Sequence, residues 1–136
     1  MPIFYYDRTI PFADSDAAGI VHFSRIACYA EEAEHAFLIQ AGYPIKVNSA
    51  HAYHWPRVNY QANYLRPLFP FQTIKLQLTS SKIGRSSITW KWSIHDEKTQ
   101  ELHCHGEMKT VCCMVQGGQM KPVPLPEELR RKLLKA

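Results

Sequence analysis

At 136 residues, with 46% hydrophobic and 21% charged residues, the chain is expected to form one domain over residues 1–136, with a core that needs neither metal nor disulfide. Its net charge of +4 is mild, and apart from Arg130-Arg131-Lys132 the basic residues are scattered, which argues against a nucleic-acid-binding stripe but allows a small anionic ligand. No apolar run approaches the roughly 18 residues of a membrane span, the N-terminus lacks a signal-peptide pattern, and Cys28, Cys104, Cys112 and Cys113 lack disulfide or zinc-finger spacing, so a cytoplasmic protein with reduced thiols and no membrane partner is expected.

Residues 3–12, with Phe4, Tyr6, Ile10 and Phe12, alternate loosely and predict a first strand. An acidic turn follows, Asp14-Ser15-Asp16-Ala17-Ala18-Gly19. From about His22 to Ala41, apolar residues recur at Phe23, Ile26, Ala27, Ala30, Ala33, Phe37, Leu38 and Ala41. That spacing of threes and fours predicts a long helix, stopped by Gly42 and followed by Pro44. The pattern then changes to period two. An aromatic-rich segment over 53–66 ends at Pro67. Ile74, Leu76 and Leu78 alternate with polar residues, as do Ile88, Trp90, Trp92 and Ile94. Leu102, Cys104, Met108, Cys112 and Met114 fall on one face of a long last strand. Hairpin turns are expected at residues 82–85 and 96–99. A proline-rich link over 122–126 leads to a short charged helix. The order is one strand, one long helix, then four antiparallel strands. The only long apolar helix must cover one face of that sheet. The fold class is therefore α+β, a curved antiparallel sheet of about five strands wrapped around one helix. Trp90 and Trp92 are expected to face that helix or a second subunit.

The acidic turn runs directly into the helix, so a carboxylate and a helix N-terminus point at the same place. Free N–H groups and the positive end of the helix dipole favour a developing negative charge. A carboxylate beside them can serve as base or nucleophile. Acyl transfer uses both. Asp16 has a plain alternative role as a helix cap or Asx turn, and Gly19 as a turn residue. Glu31 lies at the edge of the helical apolar stripe and Glu34 inside it, where a carboxylate needs a partner. Lys82, Arg85, Ser86 and Ser87 crowd a hairpin turn, either as solvated charge or as an anion site. His103, Cys104 and His105 alternate across a strand and cannot converge on one ion; no metal is expected. Tyr53, Trp55, Tyr60 and Tyr64 suit a core or an aromatic pocket.

The opening segment 14–21, Asp-Ser-Asp-Ala-Ala-Gly-Ile-Val, resembles the D-x-D-x-x-G-[IV]-V signature of the hotdog-fold 4-hydroxybenzoyl-CoA thioesterase family. Tyr64-Leu65-Arg66-Pro67 is similar to its Y-x-x-P element, and Lys121-Pro122-Val123-Pro124-Leu125-Pro126 to its closing K-x-x-P-[IL]-P. Within that family the start and tail look most like the 1,4-dihydroxy-2-naphthoyl-CoA thioesterases of phylloquinone synthesis. The resemblance implies an acyl-CoA hydrolase with an aromatic acyl group. Asp16 would be the catalytic carboxylate, with the backbone N–H of Phe23 polarising the thioester carbonyl and Gly19 letting the backbone approach the ligand. Glu31 would be a secondary site residue. The turn with Lys82, Arg85, Ser86 and Ser87 would contact CoA phosphates, and His22, Tyr53 and Trp55 would line the acyl pocket. No cofactor is implied beyond CoA as part of the substrate, and a homodimer or homotetramer is. Two departures stand out: Phe23 occupies a position where some relatives have histidine, with His22 one residue earlier, and Pro70-Phe71 replaces a frequent Gly-Asp. The alternatives are a hydrolase of fatty acyl-CoA or acyl-carrier-protein thioesters, and a non-catalytic acyl-CoA-binding protein of the same fold.

Overall fold

A computed structural model describes residues 2–47 and 51–135. Strand β1 (Phe4–Thr9) leads through a 3-10 turn (Phe12–Asp14) into helix α1 (Phe23–Gln40). Strands β2 (Arg57–Tyr64), β3 (Thr73–Ile83), β4 (Ser87–Asp96) and β5 (Leu102–Val111) follow. A small hairpin, β6 (Cys113–Gln116) and β7 (Gln119–Pro122), precedes helix α2 (Glu127–Leu134). The main sheet has five antiparallel strands in the order β1-β3-β4-β5-β2, which leaves β1 and β2 as edges.

Period-two alternation sets the two faces of this sheet. Ile74, Leu76 and Leu78 of β3, Ile88, Trp90, Trp92 and Ile94 of β4, and Cys104 and Met108 of β5 are buried. On the opposite side, Lys75, Gln77, Lys91 and Glu107 remain at least partly accessible. Helix α1 lies on the apolar side and contributes Ile26, Tyr29, Ala30, Ala33 and Leu38 to the same core. Its alanines allow close approach. Trp90 meets Phe37 of α1 edge-on at 5.5 Å, and Trp92 stacks on Tyr60 at 5.8 Å. Both tryptophans thus face the helix side of the sheet.

Three sequence expectations change. The first strand ends at Thr9 rather than residue 12, because Pro11 has no N–H and Phe12 begins the 3-10 turn with its ring exposed. The segment 53–66 is a strand only from Arg57; ahead of Pro56, His54 makes a single bridge to Cys113. The long last strand breaks at Cys112, whose N–H donates to the Ser86 carbonyl at 2.6 Å. The chain then folds back on Gly117 and Gly118, both at positive φ, to form β6 and β7. The short charged C-terminal helix forms as expected, and Leu129 and Leu133, four residues apart on it, join the core. No helix among the described residues is long and apolar enough to cross a membrane.

Candidate active site

The acidic turn is built from a narrow set of backbone bonds. The Asp16 N–H donates to the Ile20 carbonyl at 2.8 Å, and the Gly19 N–H donates to the Asp16 carbonyl at 2.9 Å. Gly19 sits at φ +80°, a left-handed conformation that disfavours a side chain. Oδ1 of Asp16 accepts from the Ala18 N–H at 2.8 Å, the Asx turn anticipated from its residue type. Oδ2 makes no hydrogen bond among the described residues, and Asp16 is only partly buried. One carboxylate oxygen thus holds the turn, and the other is left without a protein donor among the described residues.

Asp14 has the other fate. It accepts the hydroxyl of the fully buried Tyr29 at 2.7 Å and lies 3.6 Å from Arg25 Nε. This pins the turn to α1 about two helical turns in. Burial, and then the bond to Asp14, push the Tyr29 phenol pKa well up, so Tyr29 remains a donor throughout the working pH range. Tyr29 escaped the sequence analysis, although it falls three residues after Ile26 on the same stripe.

Helix α1 is capped by His22 rather than by an aspartate. The Ser24 N–H donates to His22 Nδ1 at 3.2 Å, and the Ser24 hydroxyl lies 2.7 Å from the same nitrogen. The next N–H along, that of Phe23, has no protein acceptor among the described residues, as expected for a first-turn helical donor.

Opposite this turn stands the segment after β2. Leu65 and Arg66 N–H groups both donate to the His103 carbonyl, and the Pro67 carbonyl lies 3.0 Å from His103 Nδ1. The Leu68 carbonyl accepts from the Val21 N–H at 2.8 Å, joining the two walls. Between them is a cleft of about 610 Å³ lined by Asp16, Ile20, His22, Phe23, Ile26 and Tyr64, with residues 65–68 and Cys104 completing it. The first two sequence motifs thus converge, although they are about 50 residues apart. Cys104 offers no nucleophile there: burial pushes its thiol up to about 12, leaving almost no thiolate near neutrality.

The remaining candidates lie elsewhere in the chain. Glu31 and Glu34 share Arg57 Nη2, at 3.2 and 2.9 Å. Glu34 is 1% exposed, so Arg57 is the partner its burial demands. Neither acid lines the cleft. Tyr53 and Trp55 cluster with Tyr43, beyond the C-terminal end of α1. The hairpin with Lys82, Arg85, Ser86 and Ser87 joins β3 to β4 at the Val111 end of β5, whereas Cys104 marks the cleft end. Seven residues of strand separate them, about 23 Å at ~3.3 Å per residue. The closing lysine-proline motif is structural: Leu125 is buried and its N–H donates to the Arg85 carbonyl at 2.9 Å. Phe71, one of the departures, adopts φ +71° and stacks on Phe12 at 6.4 Å.

A family profile for the thioesterase-like superfamily matches residues 10–133. The chain is similar to the 1,4-dihydroxy-2-naphthoyl-CoA hydrolase of Thermosynechococcus vestitus, 25% identical over 126 residues, covering 92% of this chain and 86% of that protein. Among solved structures it resembles a 1,4-dihydroxy-2-naphthoyl-CoA thioesterase from Synechocystis, with a TM-score of 0.85 at 21% identity, covering 98% and 96% of the two chains. The Dynemicin thioesterase, whose crystal structures reveal induced-fit and allosteric effects upon polyene binding, gives a TM-score of 0.88 at 17% identity, covering 98% of this chain and 96% of that one.

Proposed function

The chain belongs to the thioesterase-like superfamily: it is a thioester hydrolase of the hotdog fold, and we propose that the ester it cleaves is an aromatic acyl-CoA, with 1,4-dihydroxy-2-naphthoyl-CoA of phylloquinone or menaquinone synthesis as the leading candidate. One observation carries the site assignment: Asp16 and Phe23, whose N–H has no acceptor among the described residues, line the same cleft as the apolar residues Ile20, Val21, Ile26 and Leu68 and Tyr64.

In this reading the thioester carbonyl accepts from the Phe23 N–H at the positive end of α1. Charge that develops on oxygen in the transition state strengthens that bond, a contribution of about 3 kcal/mol per donor. Asp16 takes the proton of a water that attacks the carbonyl carbon. The tetrahedral intermediate collapses, the carbon–sulfur bond breaks, and the CoA thiolate takes up the proton. Direct attack by Asp16, giving a mixed anhydride that water then hydrolyses, balances equally. Water is the only co-reactant of either route, so neither requires a metal or redox cofactor. The four free cysteines, three of them buried, fit a reducing, cytoplasmic setting. A hydrolysis screen over aromatic and aliphatic acyl-CoAs tests the substrate class. Hydroxylated naphthoyl- and benzoyl-CoA are expected to exceed straight-chain acyl-CoAs by at least about tenfold in kcat/KM; the reverse order would transfer the assignment to fatty acyl thioesters.

We further propose that the working form is a homodimer, alone or doubled to a tetramer. Strand β2 is an uncovered edge carrying Val58 at 57% and Tyr64 at 51% exposure, and such edges are normally paired or shielded. Antiparallel pairing of β2 with its copy would bring the Arg57 end of one protomer to the Tyr64 end of the other. Lys82 and Arg85, which make no ion pair among the described residues, would then approach the partner's cleft and hold CoA phosphates. Sedimentation at micromolar concentration is expected to give at least a dimer. Arg85→Ala should raise KM for acyl-CoA severalfold with little change in kcat, because a remote phosphate contact is uniform binding. Co-refolding Arg85→Ala with Asp16→Asn should restore sites of wild-type KM, since each mixed dimer keeps one site with neither change. A monomer, or mixtures no better than their components, would refute the shared site.

A further inference from the structure

Far from the Asp16 cleft, the C-terminal end of α1 borders a second cavity of about 370 Å³. Its walls are Phe37, Leu78, Trp90 and Leu133, and its rim carries Gln40 and Lys135. None of its lining residues belongs to the cleft. The cleft touches α1 at Phe23 and Ile26, the cavity at Phe37 and Gln40. Phe23 and Gln40 are 17 residues apart on the helix, about 25 Å at ~1.5 Å per residue. We propose that this cavity is a separate binding site for an apolar carboxylate, an amphipathic acid that buries its body against the aromatic wall and presents its carboxylate to the lysines.

The chemistry of the lining selects that class. The opening adjoins an aromatic wall in which Phe37 meets Phe4 at 5.6 Å and Trp90 at 5.5 Å. An apolar body fits that wall. The charge is one-sided: Lys132 and Lys135 line the cavity, and no acidic residue does. Lys132 is partly committed, donating to the Ala41 carbonyl at 2.7 Å and pairing with Glu128 at 3.2 Å. Lys135 is exposed and makes no ion pair among the described residues, so its charge is available to an anion at the rim. The Trp90 indole N–H, buried in the wall, also has no acceptor among the described residues. A purely apolar ligand would leave the lysines unmatched; a strongly charged one would not enter the aromatic part. An acid with an apolar body satisfies both.

Decanoate is a suitable probe, followed through the Trp90 indole resonance in proton–nitrogen correlation spectra of the full chain. Saturable shifts centred on Trp90, Phe37 and Leu133 are expected below the micellar concentration. Lys135→Glu should weaken decanoate at least fivefold while leaving the weaker binding of neutral decanol unchanged. Gln40→Trp, at an exposed position on the rim, should block both ligands. Absence of a saturable shift would overturn the proposal. So would equal decanoate affinity in Lys135→Glu and wild type, or shifts centred on Phe23 and Ile26, which would put the acid in the catalytic cleft. The readout needs no turnover, so it stands apart from the choice of thioester substrate.

Discussion

Asp16→Asn is expected to lower kcat/KM for acyl-CoA by at least about 10²-fold, the contribution typical of a positioned general base, with the thermal midpoint unchanged within about 2 °C. The asparagine carbonyl oxygen can still accept from the Ala18 N–H, so the Asx turn at 2.8 Å survives. What changes is the unpaired oxygen, replaced by an amide nitrogen that is neither base nor nucleophile. Asp14 provides the contrast. Its carboxylate already accepts from Tyr29, and an asparagine oxygen can accept the same bond. Asp14→Asn should therefore cost far less activity. Asp14→Ala should instead cost stability, about 1–3 kcal/mol, because it strands the hydroxyl of a fully buried tyrosine. Steady-state kinetics and thermal melts of the three variants separate the roles. Asp16→Asn within a few-fold of wild type would remove Asp16 from the chemistry.

The largest effect on folding is expected at Gly106. This residue pairs with Ala62 of β2 on one side and Trp92 of β4 on the other. A Cβ there would overlap the Gln61 carbonyl oxygen and come within 2.7 Å of Cζ2 of Trp92. Neither neighbour can retreat easily: one is strand backbone, and the other is a buried indole stacked on Tyr60. Gly106→Ala should thus destabilise by about 3 kcal/mol or more, at the upper end of overpacking effects, and lower the melting midpoint by roughly 10 °C or more. Because the shift disturbs β2, the edge proposed for dimerisation, self-association should weaken with it. Gly84→Ala is the control. Its added methyl would meet chiefly the Ser87 hydroxyl, which can rotate away, so a small change is expected. Equal melting of Gly106→Ala and wild type would mean that β2 and β5 are held less rigidly than the pairing implies.

Much of this protein was legible from local pattern. The threes-and-fours spacing of α1 and the period-two strands β3 and β4 announce themselves, because each buries a single face against one core. The turn carrying Asp16 is equally local: a short stretch holds the acid, the glycine at positive φ and the helix start, so the resemblance in residues 14–21 pointed at a physical unit. Two further features were equally local. Gly117-Gly118 is a hairpin signal that predicts the break after β5, and Leu129 with Leu133 is a buried pair on a helix otherwise dominated by charge. Tertiary structure decided what sequence separation conceals. Residues 64–68 form the second wall of the cleft because the Leu65 and Arg66 N–H groups bond the His103 carbonyl and the Val21 N–H bonds the Leu68 carbonyl across the fold. Tyr29 locks Asp14, Arg57 answers Glu34, and Gly106 makes room for Trp92. Each of these is a pairing of groups brought together by burial. A one-dimensional pattern fixes which face a residue occupies, but the partner across the core is chosen by packing in three dimensions.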